Sequence, residues 1–103
     1  MSKSKLIAAT LLLTAVATAN ANTCKLYGIM ANAVMHGRQL GLSMSEALEP
    51  KNGVKASELV EELVFAAYAE PRYQTQEYQL RAREEFQNAT ELACYRQLKG
   101  RRK

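Results

Sequence analysis

The stretch TCKLYGIMANAVMHGRQL, residues 23–40, decides how the rest of the chain folds. Its polar positions Lys25, Asn32, His36 and Gln39 recur at spacings of seven, four and three, with Arg38 beside them. That pattern predicts one narrow wet stripe on an otherwise apolar helix, and a helix of this kind belongs at the centre of a bundle. Gly28 and Gly37 each weaken it by about 1 kcal/mol relative to alanine, a cost that close approach of a neighbouring helix can offset. Thr23 stands where an N-cap is expected.

Outward from this helix the chain reads as a stop followed at once by a start. In LGLSMSEAL, residues 40–48, Gly41 can take the left-handed conformation that ends a helix, and Leu42 can cover the last turn. Ser43 with Glu46 forms a capping box for a second helix, and Leu42 and Ala47 occupy the positions of a hydrophobic staple. Pro50 and the KNG that follows it end that helix within two turns. A third helix is expected over 54–69, with Ala56, Leu59, Val60, Leu63, Val64 and Ala67 on its apolar face. Phe65 breaks the pattern by falling between Glu58 and Glu61 on the polar side, with Tyr68 at the edge of the same surface. Pro71 ends this helix. The fourth runs from about Thr75 to about Lys99, burying Tyr78, Ala82, Phe86, Ala89 and Ala93 with Leu92 beside them, and Glu77 and Arg81 form an i, i+4 pair on it. The expected fold is therefore all-α, a small bundle of three long helices and one short helix.

The N-terminus carries a different signal. Lys3 and Lys5 precede an uncharged run over residues 6–19 that leads into Ala19-Asn20-Ala21. A basic start, a short apolar run and a small-x-small site make a secretory signal peptide over 1–21, cleaved after Ala21. The run is shorter than the roughly 20 apolar residues that span a bilayer. The expected destination is the periplasm or the exterior, where Cys24 and Cys94 meet oxidising conditions and join. Closing a loop of about 70 residues stabilises the fold by about 4 kcal/mol in the chain-entropy model. Cys94 points away from the expected buried face of its helix, so the bridge needs either a partner on that side or distortion of the last turn, and an antiparallel pairing of the first and last helices brings the two cysteines to the same end.

Charge divides the remaining chain into a helical domain over 22–95 and a basic tail over 96–103. Arg96, Lys99, Arg101, Arg102 and Lys103 concentrate the positive charge at the end and leave the body acidic. A nucleic-acid surface spreads its basic residues over a folded face, so nucleic acid is not an expected partner. An anionic membrane or cell-wall surface is a weaker alternative contact for the tail.

The inventory for chemistry is thin: one histidine, no tryptophan and no aspartate. His36 has no neighbours at metal-ligand spacing. Ser43, Ser45 and Ser57 read as helix-start residues, and the pairs Glu61–Glu62 and Glu84–Glu85 point partly to different sides of their helices. No catalytic residue, metal or cofactor is assigned, and the chain reads as a protein-binding module. The candidate surface lies at AYAEPRYQT, residues 67–75, where Tyr68, Pro71, Arg72 and Tyr73 gather at a corner, with Phe65 one turn before it and Arg38 of the first helix as a further candidate. Aromatic residues and arginine anchor interfaces most often, and proline makes such a corner rigid. The competing reading is purely structural, with Tyr68 and Tyr73 packing on the first helix and Arg38 or Arg72 bonding helix-end carbonyls. The expected partner is a periplasmic or extracellular protein, and the alternative is an envelope-acting factor working through the basic tail.

Cys24 with MHGRQLGLSMS at 35–45, LVFAAYAEPRYQT at 63–75 and EEFQNATELACY at 84–95 resembles a family of small secreted two-cysteine helical proteins of proteobacteria and their phages. The resemblance rests on the Arg-Gln-x-Gly helix end, the Ala-Tyr-x-x-Pro-Arg-Tyr-x-Thr corner and the closing Phe and Cys. It implies a secreted fold of this design and a phage-related setting, and it assigns no role to any residue.

Overall fold

The computed structural model describes residues 20–101, and the signal expected over 1–21 therefore lies almost wholly outside the described residues. Four helices follow in order: α1 Ala21–Leu40, α2 Met44–Leu48, α3 Glu58–Tyr68 and α4 Gln76–Arg101. Three long helices and one short one, stapled by a Cys24–Cys94 disulfide, make the all-α bundle that the sequence predicts. Among the described residues no helix is long and apolar enough to cross a membrane.

α1 is the hub, packing against both α4 and α3. Its buried positions are Cys24, Gly28, Ala31, Met35 and Gln39, a ladder of three- and four-residue steps. Gln39 therefore belongs to the core face and not to the wet stripe. The opposite side of α1 is also a departure, because Leu26, Ile29 and Leu40 stand exposed on a helix expected to be open only along one narrow polar stripe. Asn20, not Thr23, caps α1, its Oδ1 accepting the Thr23 backbone N–H at 3.0 Å.

The end of α1 follows its sequence signal. Gly41 adopts φ 94°, its N–H donates to Arg38 O and the Leu42 N–H reaches back to Gly37 O, which satisfies two of the last helix carbonyls. Ser43 then starts α2 with a complete capping box, Oγ accepting from Glu46 N–H at 3.1 Å and Glu46 Oε1 accepting from Ser43 N–H at 2.9 Å. The Ser43 N–H, and after it the Ser43 hydroxyl, hold the Glu46 carboxyl below the usual glutamate range.

α3 starts four residues later than the 54–69 expectation. Asn52 at φ 52° and Gly53 at φ 77° form a tight turn that pairs Lys51 with Val54 through two backbone hydrogen bonds of 3.0 and 2.8 Å. Asn-Gly is the preferred pair for a turn with two positive φ angles, and it holds Val54 in a bridge instead of a helix. Ser57 supplies the cap, accepting from Val60 N–H at 3.2 Å. Thr75 Oγ1 similarly meets Tyr78 N–H at 3.3 Å at the start of α4.

The core joins Ala31 and Met35 of α1, Leu63, Ala66 and Ala67 of α3, and Phe86 and Ala93 of α4. Small residues on all three helices allow the close approach that lets so short a chain exclude water. α4 is rotated from its expected setting, so that Thr90 and Cys94 are buried while Tyr78 and Leu92 are about half exposed. That rotation removes the difficulty over Cys94. It sits with Cys24, Tyr27 and Leu98 in a second small cluster, at a Cα–Cα distance of 5.4 Å from Cys24. A polar chain fixes the antiparallel register of α1 and α4 further along: Arg83 Nε donates to Asn32 Oδ1, Asn32 Nδ2 to Gln87 Oε1, and Gln87 Nε2 to Glu91 Oε2. Glu91 in turn lies over Gly28, where any side chain would collide with it.

Candidate functional site

The corner between α3 and α4 is built on the last turn of α1. Pro71 ends the helical stretch, and the backbone from Glu70 to Tyr73 has no helix or sheet ladder to satisfy it. Side chains take over that task. Arg38 donates from Nε and Nη2 to Glu70 O at 3.2 and 3.0 Å. Gln39 donates from Nε2 to Pro71 O at 2.9 Å and accepts the Tyr73 N–H on Oε1 at 2.8 Å. The two partners fix which way the Gln39 amide faces, since a carbonyl can only accept and an N–H can only donate. From the far side Gln79 of α4 donates to Tyr73 O at 2.9 Å.

Gln39 is only 1 % exposed, so this amide is a buried polar group whose hydrogen bonds are met by the corner it holds. Arg72 closes the loop in the other direction, its Nε donating to Gln39 O at 3.0 Å and its guanidinium lying over Gly41. A Cβ at Gly41 would sit 2.9 Å from Arg72 Nη2, so glycine serves here both for its positive φ and for the space it leaves.

Tyr68 is the second anchor. Its hydroxyl donates to Leu42 O at 2.6 Å, and the Arg38 guanidinium lies 5.2 Å from its ring centroid. Its ring packs against the core, and burial pushes its phenol above the ordinary range, with the Arg38 charge acting the other way. Arg38, Tyr68, Pro71, Arg72 and Tyr73 are thus brought together at one end of α1. The polar groups of Arg38, Tyr68 and Arg72 are used on helix ends and corner carbonyls, the arrangement of the structural reading. Phe65 is 48 % exposed on the outer side of α3 and takes no part in these hydrogen bonds or ring contacts.

What faces outward from the corner is Tyr73. Its ring stands 6.2 Å from that of Tyr78, tilted by 39°, and the two rings line a shallow cleft with Arg81, Ala82 and Glu85. Arg81 lies 5.2 Å from the Tyr78 ring centroid and pairs with Glu77 at 3.7 Å. A smaller hollow continues beneath Tyr73 towards Met35, Glu70 and Phe86. Such a surface can offer aromatic faces, one guanidinium and carboxylates to a partner. Among the described residues no three His, Cys, Asp or Glu side chains gather where they could hold a metal ion.

Sequence reasoning missed Gln39 and Tyr78. Gln39 follows Met35 by four residues on the ladder from Cys24, which is the signal that places it inside. Tyr78, expected on the buried face of α4, instead extends the outward surface of Tyr73. No family model, curated protein or solved structure matches the chain.

Proposed function

We propose that the protein is a small disulfide-locked binding module of the periplasm or exterior, exported by the segment at its N-terminus, with the Tyr73–Tyr78 face as its working surface. The observation that carries this reading is the contrast within Tyr73. Its N–H is held by Gln39 and its carbonyl by Gln79, while its side chain is 37 % exposed beside a second exposed tyrosine. An aromatic pair on a backbone already fixed loses little conformational freedom on binding, and tyrosine and arginine supply much of the energy at protein interfaces. Arg38, Tyr68 and Arg72 support the surface from behind in this reading, and Phe65 is not part of it.

The test is capture of a partner from periplasmic extract by the oxidised protein, compared with Tyr73→Ala/Tyr78→Ala and Phe65→Ala variants shown to be folded by circular dichroism. A partner retained in near-equal amount by wild type and Phe65→Ala but lost by the double variant is the expected result. Equal retention by all three would move the site elsewhere.

A second reading has its own observation. Arg96 and Lys99 are exposed on the last turns of α4, which continues as helix to Arg101. A basic helix end can lie against an anionic envelope surface. Binding that fades steeply with salt and disappears when residues 99–103 are removed would favour this contact over the corner.

A further inference from the structure

The last turns of α4 carry Leu92, Tyr95, Arg96 and Lys99, at steps of three, one and three residues that place all four on one side of the helix. All four are exposed, Leu92 and Tyr95 by 50 % and 44 %. This stripe does not hang from a loose end. Cys94, on the inner side of the same turns, is bonded to Cys24, and Tyr27 and Leu98 pack on the bridge. The bridge also brings the start of α1, with exposed Lys25, to this end of the bundle.

Charge is sorted along the molecule. Residues 20–45 and 92–103 hold no aspartate or glutamate. Even the first turn of α1, where the helix dipole favours an acid, has none. Glu91, the nearest glutamate in sequence to the stripe, is turned towards α1, accepting from Gln87 and lying over Gly28. A helix C-terminus favours cations whatever its role, which accounts for Lys99 but not for a leucine and a tyrosine half exposed beside it. Basic side chains interleaved with leucine and tyrosine on one helix face suit a membrane interface. There the cations meet lipid phosphates, leucine enters the acyl boundary and tyrosine keeps its hydroxyl among the headgroups. An acidic protein would meet the charges, whereas a bilayer also takes the apolar side chains without a matching pocket.

We propose that this end of the bundle docks on an anionic lipid bilayer, with Leu92 and Tyr95 in its interface and Lys25, Arg96 and Lys99 on the phosphates. The contact deepens the second functional reading, on which it rests, by making a disulfide-pinned face and not the charged tail alone the docking element. Tyr78 precedes Tyr95 by 17 residues on the same helix, about 25 Å along its axis, so docking leaves the Tyr73–Tyr78 cleft free for a protein.

Co-sedimentation of the oxidised chain from Asn20 onward, which holds all four helices, with phosphatidylglycerol or phosphatidylcholine vesicles tests the docking. Binding is expected to the first and not to the second. It should weaken about fivefold on Lys25→Gln or Arg96→Gln, and about tenfold on Leu92→Gln with an unchanged circular dichroism spectrum. The chain has no tryptophan, so Tyr95→Trp reports alone: its emission should move to the blue on phosphatidylglycerol vesicles, while that of Phe65→Trp stays in place. Binding that Leu92→Gln leaves unchanged, with no shift for Tyr95→Trp, overturns the proposal and leaves only the charged-tail contact. No binding to phosphatidylglycerol at low salt removes that contact as well. Equal binding to phosphatidylcholine also overturns the proposal, and so does binding to polyglutamate as tight as to the vesicles, since the face would then serve an acidic protein.

Discussion

Gln39 and Tyr73, 34 residues apart in sequence, are joined by a 2.8 Å hydrogen bond from the Tyr73 N–H to the Gln39 side chain, so the last turn of α1 sets the shape of the α3–α4 corner. The same amide donates to Pro71 O, and Arg72 returns a bond to Gln39 O. Helix end and corner therefore form one unit.

Gly41→Ala should disturb both partners of that unit. The substitution places a Cβ at φ 94° and within 2.9 Å of the Arg72 guanidinium. Strain of about 1 kcal/mol is expected from the backbone alone, with more from displacing Arg72. Urea unfolding should show a lower midpoint at unchanged slope, and no change in midpoint would contradict the geometry.

At Gly28 the sign of the same substitution should depend on its neighbour. Alanine favours a helix over glycine by about 1 kcal/mol, but here the new methyl group meets Glu91. Gly28→Ala alone is expected to be neutral or destabilising, and in a Glu91→Ala background it should stabilise by about 1 kcal/mol. Equal effects in both backgrounds would mean that Glu91 does not occupy the space over Gly28.

Tyr68 gives the corner an alkaline limit. Its phenol lies above the ordinary value of 10.0 because it is partly buried, so the folded state holds the proton more tightly than the unfolded chain. The stability this provides is complete below pH 10 and is lost as pH rises through the folded-state value. Tyr68→Phe should cost about 1 kcal/mol at neutral pH by removing the bond to Leu42 O. The difference between wild type and Tyr68→Phe should shrink above pH 10, and a constant difference would argue against the bond.

Thr90 is fully buried and its hydroxyl has no hydrogen-bond partner. Thr90→Val keeps the shape and removes the unsatisfied group, so a gain of about 1 kcal/mol is expected. A loss on the same substitution would show that the hydroxyl is bonded.

Much of this fold could be read from local chemistry. Gly41, the Ser43–Glu46 box, Thr75 and Pro71 mark helix ends through interactions with residues a few positions away, and all act as their types suggest. The Cys24–Cys94 pairing could be read from two cysteines at the two ends of the domain, but the rotation of α4 that turns Cys94 inward could not. Where reading failed, the deciding term was tertiary or belonged to a competing turn. Asn52–Gly53 outweighed the helical pattern around Val54. Gln39 looks like surface by type, and only the corner 32 to 34 residues later supplies the partners that let it be buried. At the candidate site the residue types were legible, but which arginine or tyrosine would face inward depended on carbonyls left free elsewhere in the chain.

Hydrogen exchange of the Tyr73 amide tests most directly whether Gln39 holds the corner as a rigid platform. In wild type this amide, in a non-helical segment, should exchange as slowly as the buried turns of α1, and in Gln39→Leu it should exchange at least about tenfold faster while α1 keeps its protection. Fast exchange of Tyr73 in wild type, or no change in Gln39→Leu, would contradict the account.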